Sequence, residues 1–543
     1  MTIGEKIAEL RMRAHLSQEE LAEAMDVSRQ SISKWEMNDA LPQIEKVIKL
    51  CSFFRISTDT LLSEGCALPF PQKEEGEKAP RPLKYFGTDG FRGEANVALT
   101  SFDAYRVGRF LGWYFTSPLA PFPHGSRRTK IVIGKDTRRS SYMLEYALVA
   151  GMTASGADVY MLHVTTTPSV SYVTRQEGFD CGIMISASHN PYYDNGIKII
   201  NRFGEKMDDG ETSLIEAYLD NDLKRLGLTA DIPLAKRESI GAITDYIGGR
   251  NRYVGYLISI ASHSYRSLRI GLDCANGASW MIAKAVFDAL GAETVLLGAE
   301  PNGLNINQGC GSTHIEALKQ LVKERRLDVG FAFDGDADRC IAVDEKGNEV
   351  NGDHILYILG KRLKAKGILD GNTVVATVMS NTGLHQALEE AEILCELTAV
   401  GDRFVYECMQ EKGYRIGGEQ SGHIILKKYA TTGDGILTAI MLTEEMLDAK
   451  LPLSRLYEGM VLFPQCLKNV PVSDKDAILS HPALCALKGE IEAEIGKFGR
   501  VLLRKSGTEP VLRVMVECRE KERCEAYAKR LAKCIEEADK GTK

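Results

Sequence analysis

The sequence lacks the features of membrane and secreted proteins. No apolar run approaches the ~20 residues that a membrane-spanning helix needs. The thirteen cysteines are scattered and form no CxxC pair. Met1 leads straight into Thr-Ile-Gly-Glu-Lys, without the long apolar segment of a secretory signal peptide. We therefore expect reduced thiols and a cytoplasmic protein with no membrane partner.

A strong excess of either charge is also missing. The chain has 67 basic and 74 acidic side chains, for a formal net charge of −7. This mild acidity argues against a nucleic-acid or membrane surface over the whole chain, and it leaves room for a local basic face. At 543 residues the chain is too long for one hydrophobic core, and its length predicts roughly three to five domains.

Residues 1–65 contain helical patterns only. The stretch SQEELAEAMDVSRQSISKWE gives two short helices separated by a turn at Asp26-Val27, which is a helix-turn-helix arrangement. The pattern closely resembles the lambda-repressor-like (Cro/C1 or XRE) family, whose second helix lies in the major groove of DNA. The resemblance implies DNA contacts at five residues: Gln18, Arg29, Gln30, Ser31 and Lys34.

The charge of this segment leaves alternatives open. Residues 1–65 hold eight basic side chains against eleven acidic ones. Because phosphate neutralisation supplies most non-specific affinity for DNA, DNA binding requires the basic residues to cluster. A dimerisation role or a vestigial domain is the alternative. Helix-turn-helix proteins usually bind DNA as dimers, so we take a homodimer as the expected assembly.

A linker separates this segment from the rest of the chain. The stretch CALPFPQKEEGEKAPRP, with four prolines and mixed charge, predicts a linker over 66–83. Beyond it, apolar strand patterns alternate with helical ones, which indicates parallel α/β layers. The last segment differs, because RVLLRKSGTEPVLRVMVE alternates like a hairpin and precedes a charged helix. We predict an α/β fold in which a small all-α domain, 1–65, precedes three related α/β domains, 84–248, 249–356 and 357–462, and a C-terminal α+β domain, 463–543.

Four loops in this region hold residues suited to chemistry. In open parallel sheets, ligands bind beyond the carboxyl ends of strands. In the first loop, GIMISASHNPYYDNGIKII, Ser188 and His189 follow an apolar strand and Lys198 returns toward the same end. A cation near a serine suits a phosphorylated side chain, whose roughly two negative charges need compensation. The alternative is an ordinary turn with a capping serine.

The second loop, in DVGFAFDGDADRCIAVD, predicts a metal site. A strand delivers Asp334, Asp336 and Asp338 at alternate positions with only glycine and alanine between them. Three carboxylates so close together repel one another strongly unless a divalent cation binds them. A small number of oxygen ligands and a phosphate partner favour Mg²⁺, which keeps water or substrate in its remaining positions.

The third and fourth loops suit sugar and phosphate. In YRIGGEQSGHIIL, a Gly-rich bend carries Glu419, Ser421 and His423, whose polar groups can bracket sugar hydroxyls. In LLRKSGTEPVLR, the residues spaced to wrap a phosphate are Arg504, Ser506, Gly507, Thr508 and, on the returning strand, Arg513. Taken alone, each loop also fits a polar turn between two strands.

Together, the four loops resemble the α-D-phosphohexomutase superfamily from Tyr85 to the C-terminus. Further similar motifs are KYFGTDGFRG (84–93), DCANGAS (273–279), NINQGCGSTH (305–314), TAVGDRFV (398–405) and the glutamine of GEQSGH. Within the superfamily they resemble the bacterial enzymes that interconvert glucosamine 6-phosphate and glucosamine 1-phosphate, toward UDP-GlcNAc and peptidoglycan. The helix-turn-helix segment is a departure, since the family normally lacks it.

The resemblance implies a phosphoserine enzyme. Ser188 would give its phosphoryl group to the sugar and recover the other phosphate from a bisphosphorylated intermediate. One Mg²⁺ per chain would be held by Ser188, Asp334, Asp336 and Asp338. Charge neutralisation and in-line positioning are what phosphoryl transfer requires.

The resemblance also assigns roles to other residues. Arg92 and Lys198 match catalytic positions beside the phosphoserine. Glu419 and Ser421 would bind the sugar hydroxyls, and the fourth loop would hold the phosphate that does not react. The sequence leaves the group that transfers the proton open between Lys198, His189 and His423.

Two departures and two alternatives accompany this interpretation. Lys505 replaces a proline often found in the fourth loop, and Ala337 stands where glycine is common. A mutase for glucose or mannose phosphates is one alternative, because those relatives share all four loops. A transcription regulator that only senses hexosamine phosphate is the other, although a pure sensor has no need of a phosphoserine.

Overall fold

A computed structural model describes residues 2–13, 16, 18–54, 58–62, 83–87, 89–120, 127–505 and 511–542. The chain divides into two compact units, residues 1–82 and 83–543. The linker predicted over 66–83 lies outside the described residues except for Leu83. None of the helices within the described ranges combines the length and apolar character that crossing a membrane requires.

The described part of the N-terminal unit is helical, as predicted. Its helices are α1 (Ile3–Arg13), α2 (Gln18–Met25), α3 (Arg29–Glu36), α4 (Ile44–Phe54) and α5 (Thr58–Leu62). They enclose a small core that includes Ile7, Leu21 and Ile32. The turn between α2 and α3 contains Asp26 at a φ of 55°, and the Ser28 hydroxyl caps α3 by accepting a hydrogen bond from the Ser31 amide at 3.2 Å.

Sheet I opens the C-terminal unit. Its strands are β1 (Phe86–Gly87), β2 (Gly90–Glu94), β3 (Lys130–Lys135), β4 (Asp158–Val164), β5 (Cys181–Ile185), β6 (Asp194–Asn201) and β7 (Ile243–Asp245), in the order β1-β2-β6-β5-β3-β4-β7. Its helices are α6 (Ser101–Tyr114), α7 (Arg139–Ala154), α8 (Thr167–Gln176) and α9 (Asp209–Leu219). Consecutive residues of β3 face opposite sides of the sheet: Ile131 and Ile133 belong to one buried cluster and Val132 to another. Both faces are therefore covered, which explains why the central strands are apolar throughout.

Sheet II follows in the chain. Its strands are β8 (Arg269–Asp273), β9 (Glu293–Leu297), β10 (Val329–Phe333), β11 (Cys340–Asp344) and β12 (Glu349–Val350), in the order β12-β11-β10-β8-β9. Its helices are α10 (Ile247–Ile260), α11 (Ser279–Leu290) and α12 (Glu316–Arg325).

Sheet III shares one hydrophobic core with sheet II. Its strands are β13 (Thr373–Thr377), β14 (Leu394–Thr398), β15 (Ile416–Gly418) and β16 (Ile424–Leu426), in the order β14-β13-β15-β16. Its helices are α13 (Gly352–Ala365), α14 (Thr382–Glu390), α15 (Asp402–Lys412), α16 (Gly435–Ala449) and α17 (Leu453–Leu456).

The three sheets share one feature that the sequence reading did not predict. Their central pairs are parallel, as expected, but β5–β6, β10–β11 and β15–β16 are antiparallel. The connecting loops, 186–193, 334–339 and 419–423, are too short to contain a crossover helix, so each chain segment must return as a hairpin. Each of the first three chemical loops is the tip of one of these hairpins.

Sheet IV is antiparallel, as the alternating pattern predicts. Its strands are β17 (Gln465–Pro471), β18 (Gly499–Lys505) and β19 (Val511–Cys518), in the order β17-β19-β18, and its helices are α18 (Lys475–Leu479), α19 (Pro482–Ile495) and α20 (Lys521–Thr542). Three short 3₁₀ turns complete the described elements of the chain: Arg237–Ser239, Asp370–Asn372 and Gly496–Phe498.

Candidate active site

Ser188 lies buried at the tip of the β5–β6 hairpin. Its backbone has a φ of 52°, a left-handed conformation that costs energy for a residue with a side chain. Its amide donates a hydrogen bond to the Ser186 hydroxyl at 2.9 Å. Its own hydroxyl donates to Asp334 Oδ2 at 2.5 Å, which joins the first loop to the second.

Two side chains hold this strained loop in place. Arg138 is fully buried and donates hydrogen bonds to the carbonyl oxygens of Ser188 at 3.1 Å and Asn190 at 2.6 Å. Asn307, in the segment between β9 and β10 of sheet II, donates to the same two carbonyls at 2.9 and 3.0 Å. The loop is thus fixed from two parts of the C-terminal unit.

The residues of the predicted metal loop converge. Ligand oxygens of Asp334, Asp336 and Asp338 lie within 4.8 Å of one another, and all three residues are buried. Within the described structure, Asp336 Oδ1 and Asp338 Oδ1 have no hydrogen-bond donor. Burial and the repulsion of the other two carboxylates raise the pKa of Asp334 well above its usual range. Hard oxygen ligands with unsatisfied lone pairs fit Mg²⁺.

Lys198 extends from β6 into this carboxylate cluster. Its Nζ lies 2.7 Å from Asp336 Oδ2, 3.2 Å from Asp338 Oδ2 and 3.4 Å from Asp89 Oδ2. Burial opposes its charge, yet the three aspartates outweigh burial and raise its pKa well above the ordinary value. Lys198 is therefore a fixed positive charge beside Ser188.

Two histidines lie near the carboxylate cluster. His189 Nδ1 lies 3.4 Å from Ser188 Oγ, and burial together with nearby arginines lowers the pKa of His189 to about 4. The buried His423 accepts a hydrogen bond from the Gly433 amide at 3.0 Å through Nε2, and its Nδ1 lies 3.7 Å from Asp338. The two imidazoles thus lie next to Ser188 and Asp338, respectively.

A second charged cluster surrounds Lys198. Lys206 lies 3.0 Å from Asp89 and 2.7 Å from Asp402, and Arg92 pairs with Asp89. Of Lys206, Asp89, Asp402 and Arg92, the sequence predicts a role only for Arg92. Asp89 and Asp402 do fall within the quoted motifs KYFGTDGFRG and TAVGDRFV, which is the signal that could have identified them.

The β15–β16 hairpin presents the residues predicted to bind sugar. Glu419 is half-buried and accepts a hydrogen bond from the Gly401 amide at 3.0 Å, while Ser421 is exposed. Gly422 between Ser421 and His423 has a φ of 89°, and a side chain there would collide with the Cys340 carbonyl. Close backbone packing thus positions this tip against the metal loop.

Sheet IV places two arginines opposite each other. Arg504 on β18 and Arg513 on β19 are directly paired across the strands. Like charges in this arrangement destabilise a sheet, and burial together with Arg513 lowers the pKa of Arg504. An anion between them removes this cost. Ser506, Gly507 and Thr508 lie outside the described residues.

In the N-terminal unit, α3 exposes most of the residues predicted to contact DNA. Arg29, Gln30 and Lys34 are exposed on α3, and Ser31 is half-buried. Arg29 lies 3.3 Å from Glu19 in a surface ion pair. Gln18 donates a hydrogen bond to Glu36 Oε2 at 2.8 Å, so its amide group already has a partner within the unit.

Comparison with family models covers both units. Four consecutive models describe "Phosphoglucomutase/phosphomannomutase" domains and match residues 83–225 for domain I, 251–347 for domain II, 351–463 for domain III and 467–534 for the C-terminal domain. A helix-turn-helix model matches residues 7–61.

Similar proteins narrow the family. Phosphoglucosamine mutase of Lachnospira eligens is 60% identical over 444 residues, which are 82% of this chain and 96% of the relative. Phosphoglucosamine mutase of Bacillus subtilis is 47% identical over 452 residues, 83% of this chain and 98% of the relative. This chain belongs to the phosphoglucosamine mutase family. It is an enzyme of the isomerase class, and the predicted resemblance is confirmed.

Two solved structures of low sequence identity share the fold of this chain. A phosphoglucomutase/phosphomannomutase family protein from Burkholderia thailandensis has a TM-score of 0.68 at 21% identity, over 84% of this chain and 98% of that one. N-acetylphosphoglucosamine mutase from Aspergillus fumigatus, solved with GlcNAc-6P and magnesium, has a TM-score of 0.60 at 16% identity, over 84% of this chain and 96% of that one.

Proposed function

We propose that the chain interconverts glucosamine 6-phosphate and glucosamine 1-phosphate through a phosphoserine at Ser188. The observation that carries the proposal is the position of Ser188 Oγ, 2.5 Å from Asp334 and beside two further buried aspartates. Membership of the phosphoglucosamine mutase family supports the choice of glucosamine phosphates. A strained loop held by two independent donors keeps the hydroxyl at this point.

The charge distribution suits phosphoryl transfer. Asp334, Asp336, Asp338 and an oxygen of phosphorylated Ser188 would hold Mg²⁺, which neutralises charge on the transferring phosphate when bound. Lys198 adds a fixed positive charge on the same side. Because the protein charges are already in place, little reorganisation is needed when negative charge shifts between oxygens.

The remaining loops hold the substrate in the proposed scheme. The Glu419 carboxylate accepts hydrogen bonds from sugar hydroxyls, and the Ser421 hydroxyl donates one to a sugar oxygen. Arg504 and Arg513 bind the phosphate that does not react. Ser506, Gly507 and Thr508 complete this clamp in the proposal. A clamp that reads only a phosphate and hydroxyl positions accepts either orientation of a bisphosphorylated sugar.

The proposed transfer balances in two steps. In the first, the bond between Ser188 Oγ and phosphorus breaks as the free sugar hydroxyl forms a new oxygen–phosphorus bond. The sugar hydroxyl loses its proton to a site base, and the freed Ser188 oxygen takes up a proton to become a hydroxyl. In the second, after the sugar turns over, the Ser188 hydroxyl loses its proton and takes the other phosphoryl group, and the freed sugar oxygen is protonated. His189 and His423 are the candidate bases in this scheme, whereas Lys198 is held protonated by its aspartates and can act only as an acid or as a permanent charge.

Replacing Ser188 tests the proposal. We expect Ser188→Ala to abolish mutase activity with Mg²⁺ while the thermal unfolding midpoint stays near that of the wild type. Turnover of glucosamine, glucose and mannose 6-phosphates by the wild type then tests specificity, and glucosamine 6-phosphate should be the best substrate. Near-normal turnover by Ser188→Ala would refute the mechanism, and better turnover of another sugar would change the substrate. A wild type without turnover of any of the three would favour the sensor.

We propose DNA binding as a second function, of the N-terminal unit. The observation that favours it is the exposure of Arg29, Gln30 and Lys34 along one short helix of a helix-turn-helix domain. We expect the full chain to retain duplex DNA at low salt, and Arg29→Ala with Lys34→Ala to weaken retention and lower the salt slope by about two. Lys49→Ala, an exposed lysine on α4, is the control. Equal binding by the double variant and the control would contradict this function.

A further inference from the structure

A cavity of about 580 Å³ lies in the C-terminal unit, and two of its lining residues, Thr137 and Arg139, flank the Arg138 that holds the Ser188 loop. Its lining shares no residue with the candidate active site and includes Arg139, His163, Arg250 and Trp280. The described residues that line it include no aspartate or glutamate. Pockets of about 300 to 1,000 Å³ hold small organic ligands, so both the size and the charge of this cavity suit an organic anion.

Three helices begin at this cavity. Arg139 and Tyr142 belong to the first turns of α7, Arg250 to the first turn of α10, and Trp280 to the first turn of α11. The N-cap residue itself caps none of these three helices, but Asp136 accepts a hydrogen bond from the Arg138 amide at 2.9 Å before α7, and Asp245 accepts one from the Ile247 amide of α10 at 3.4 Å. Their N-terminal dipoles add positive potential to that of the two guanidinium groups.

The two arginines are not neutralised by an acid in the lining. Arg250 is half-buried, and it donates a hydrogen bond to the Val164 carbonyl at 3.4 Å. Burial lowers the pKa of Arg250, and Asp245 offsets this only in part. A phosphate in the cavity would therefore pair with a guanidinium that has already lost much of its hydration.

A β-bulge aims His163 at the same space. The register of β3 with β4 shifts between Ile133 and Gly134, and His163 has a φ of 60°. Bulges re-aim single side chains, and a left-handed non-glycine residue is kept only where the surroundings enforce it. His163 Nε2 lies 3.4 Å from Asp245 outside the lining, so the imidazole lies between that carboxylate and the cavity.

Aromatic surface completes the cavity. Trp280 and Tyr142 both line it, and the Tyr142 side chain is 45% exposed. Planar bases stack on such side chains. We propose that this cavity is a nucleotide-binding site, in which Arg139 and Arg250 take the phosphates and Trp280 stacks on the base.

Fluorescence titration of the full chain with UDP and ADP tests the proposal. The chain has three tryptophans, so the quench must be assigned with Trp280→Phe. We expect UDP or ADP to quench the wild type, and Arg139→Gln and Arg250→Gln each to weaken binding about tenfold, as loss of a charge-assisted hydrogen bond predicts. Arg455→Gln, a surface arginine on α17, is the matched control and should bind like the wild type.

Several results would overturn the nucleotide site. One is the lack of binding of either nucleotide at millimolar concentration, measured by calorimetry as well as fluorescence. Another is unchanged affinity in the Arg139→Gln, Arg250→Gln double variant, which would place the ligand elsewhere, such as in the catalytic cleft. A third is equal affinity for inorganic pyrophosphate, because the base would then contribute nothing. Thermal unfolding midpoints near the wild type establish that the variants are folded.

Discussion

At the scale of single residues, Ser188 depends on groups that hold its backbone. The left-handed φ of 52° is maintained by Arg138 and by Asn307, 119 residues away in the chain. The sequence predicted Ser188, His189 and Lys198 because they follow one apolar strand. It could not predict Arg138, since nothing local distinguishes a buried arginine that binds carbonyls from a surface one, although Asn307 does lie in the quoted motif NINQGCGSTH.

Asn307 offers a test of this positioning role. Asn307→Ala removes two hydrogen bonds to the Ser188 loop, so we expect kcat to fall by about tenfold to a hundredfold with little change in KM. Asn305→Ala is the control, because Asn305 lies in the same segment and donates to the Glu300 carbonyl instead. Equal loss of kcat in both variants would show that the segment matters only for folding.

A half-buried carboxyl on α9 gives a pH-dependent prediction. Burial and the nearby Asp208 raise the pKa of Glu211 from 4.5 to about 7. Between these values the folded chain binds more protons than the unfolded chain, so the stability contribution of Glu211 falls as pH rises and its full cost is present above about pH 7. Glu211→Gln should therefore stabilise at pH 8 by about 1–2 kcal/mol and change little near pH 4.5.

Thermal unfolding at both pH values measures this effect. Gln can still accept the hydrogen bond that the Tyr114 hydroxyl donates to Glu211 at 2.9 Å, so the contact is preserved. Glu525→Gln on the exposed side of α20 is the control and should show no pH-dependent difference. A stabilisation that is the same at both pH values would rule out titration of Glu211 as its cause.

At the scale of elements, the repeated hairpin is what organises the site. Strand and helix patterns predicted the parallel central strands, because their apolar runs reflect burial on both faces. The antiparallel return of β6 and β11 was not predicted, and for β16 a turn between two strands was only the alternative, since the strand pattern alone does not distinguish parallel from antiparallel neighbours. The short loops 186–193, 334–339 and 419–423 carry that information, because no crossover helix fits within them.

The crossing of α6 and α7 gives a prediction at this scale. A side chain at Gly151 would collide with the Tyr105 carbonyl and would lie 2.8 Å from the Arg109 nitrogen. Gly151→Ala must push the helices apart, and we expect a destabilisation of about 1–3 kcal/mol. Gly255→Ala on α10, where a side chain meets nothing within 4 Å, should instead stabilise by up to about 1 kcal/mol. The measurement is the thermal unfolding midpoint of each variant. A shift of both midpoints in the same direction would contradict the packing argument.

At the scale of the whole molecule, the proposed mechanism requires four sheets to bring their loops to one place. The sequence predicted this constellation through its resemblance to a family, since spacing along the chain does not show which loops meet. The structure joins the first two loops through Ser188 and Asp334, and the second to the third through His423 and Asp338. Of the residues predicted to hold a phosphate in the fourth loop, the structure describes only Arg504 and Arg513.

Metal removal tests how the catalytic unit depends on its carboxylate cluster. We expect EDTA to abolish mutase activity and added Mg²⁺ to restore it, because in our proposal the three buried aspartates hold a divalent cation. Mg²⁺ should also raise the thermal unfolding midpoint of the wild type, through mass action on the folded state. Asp336→Asn should lose most of the metal-induced rise, whereas Asp328→Asn, outside the cluster, should retain it. An unchanged midpoint in the wild type would contradict the site.

The most direct test of the central claim is to follow one phosphate from Ser188 to the sugar. The chain would first be phosphorylated with glucosamine 1,6-bisphosphate and mapped by peptide mass spectrometry, then mixed with one equivalent of glucosamine 6-phosphate and quenched over time. The account predicts phosphate on the peptide that carries Ser188, lost at the rate at which bisphosphorylated sugar forms and at least as fast as kcat. Phosphate that stays on the protein while product accumulates would contradict it.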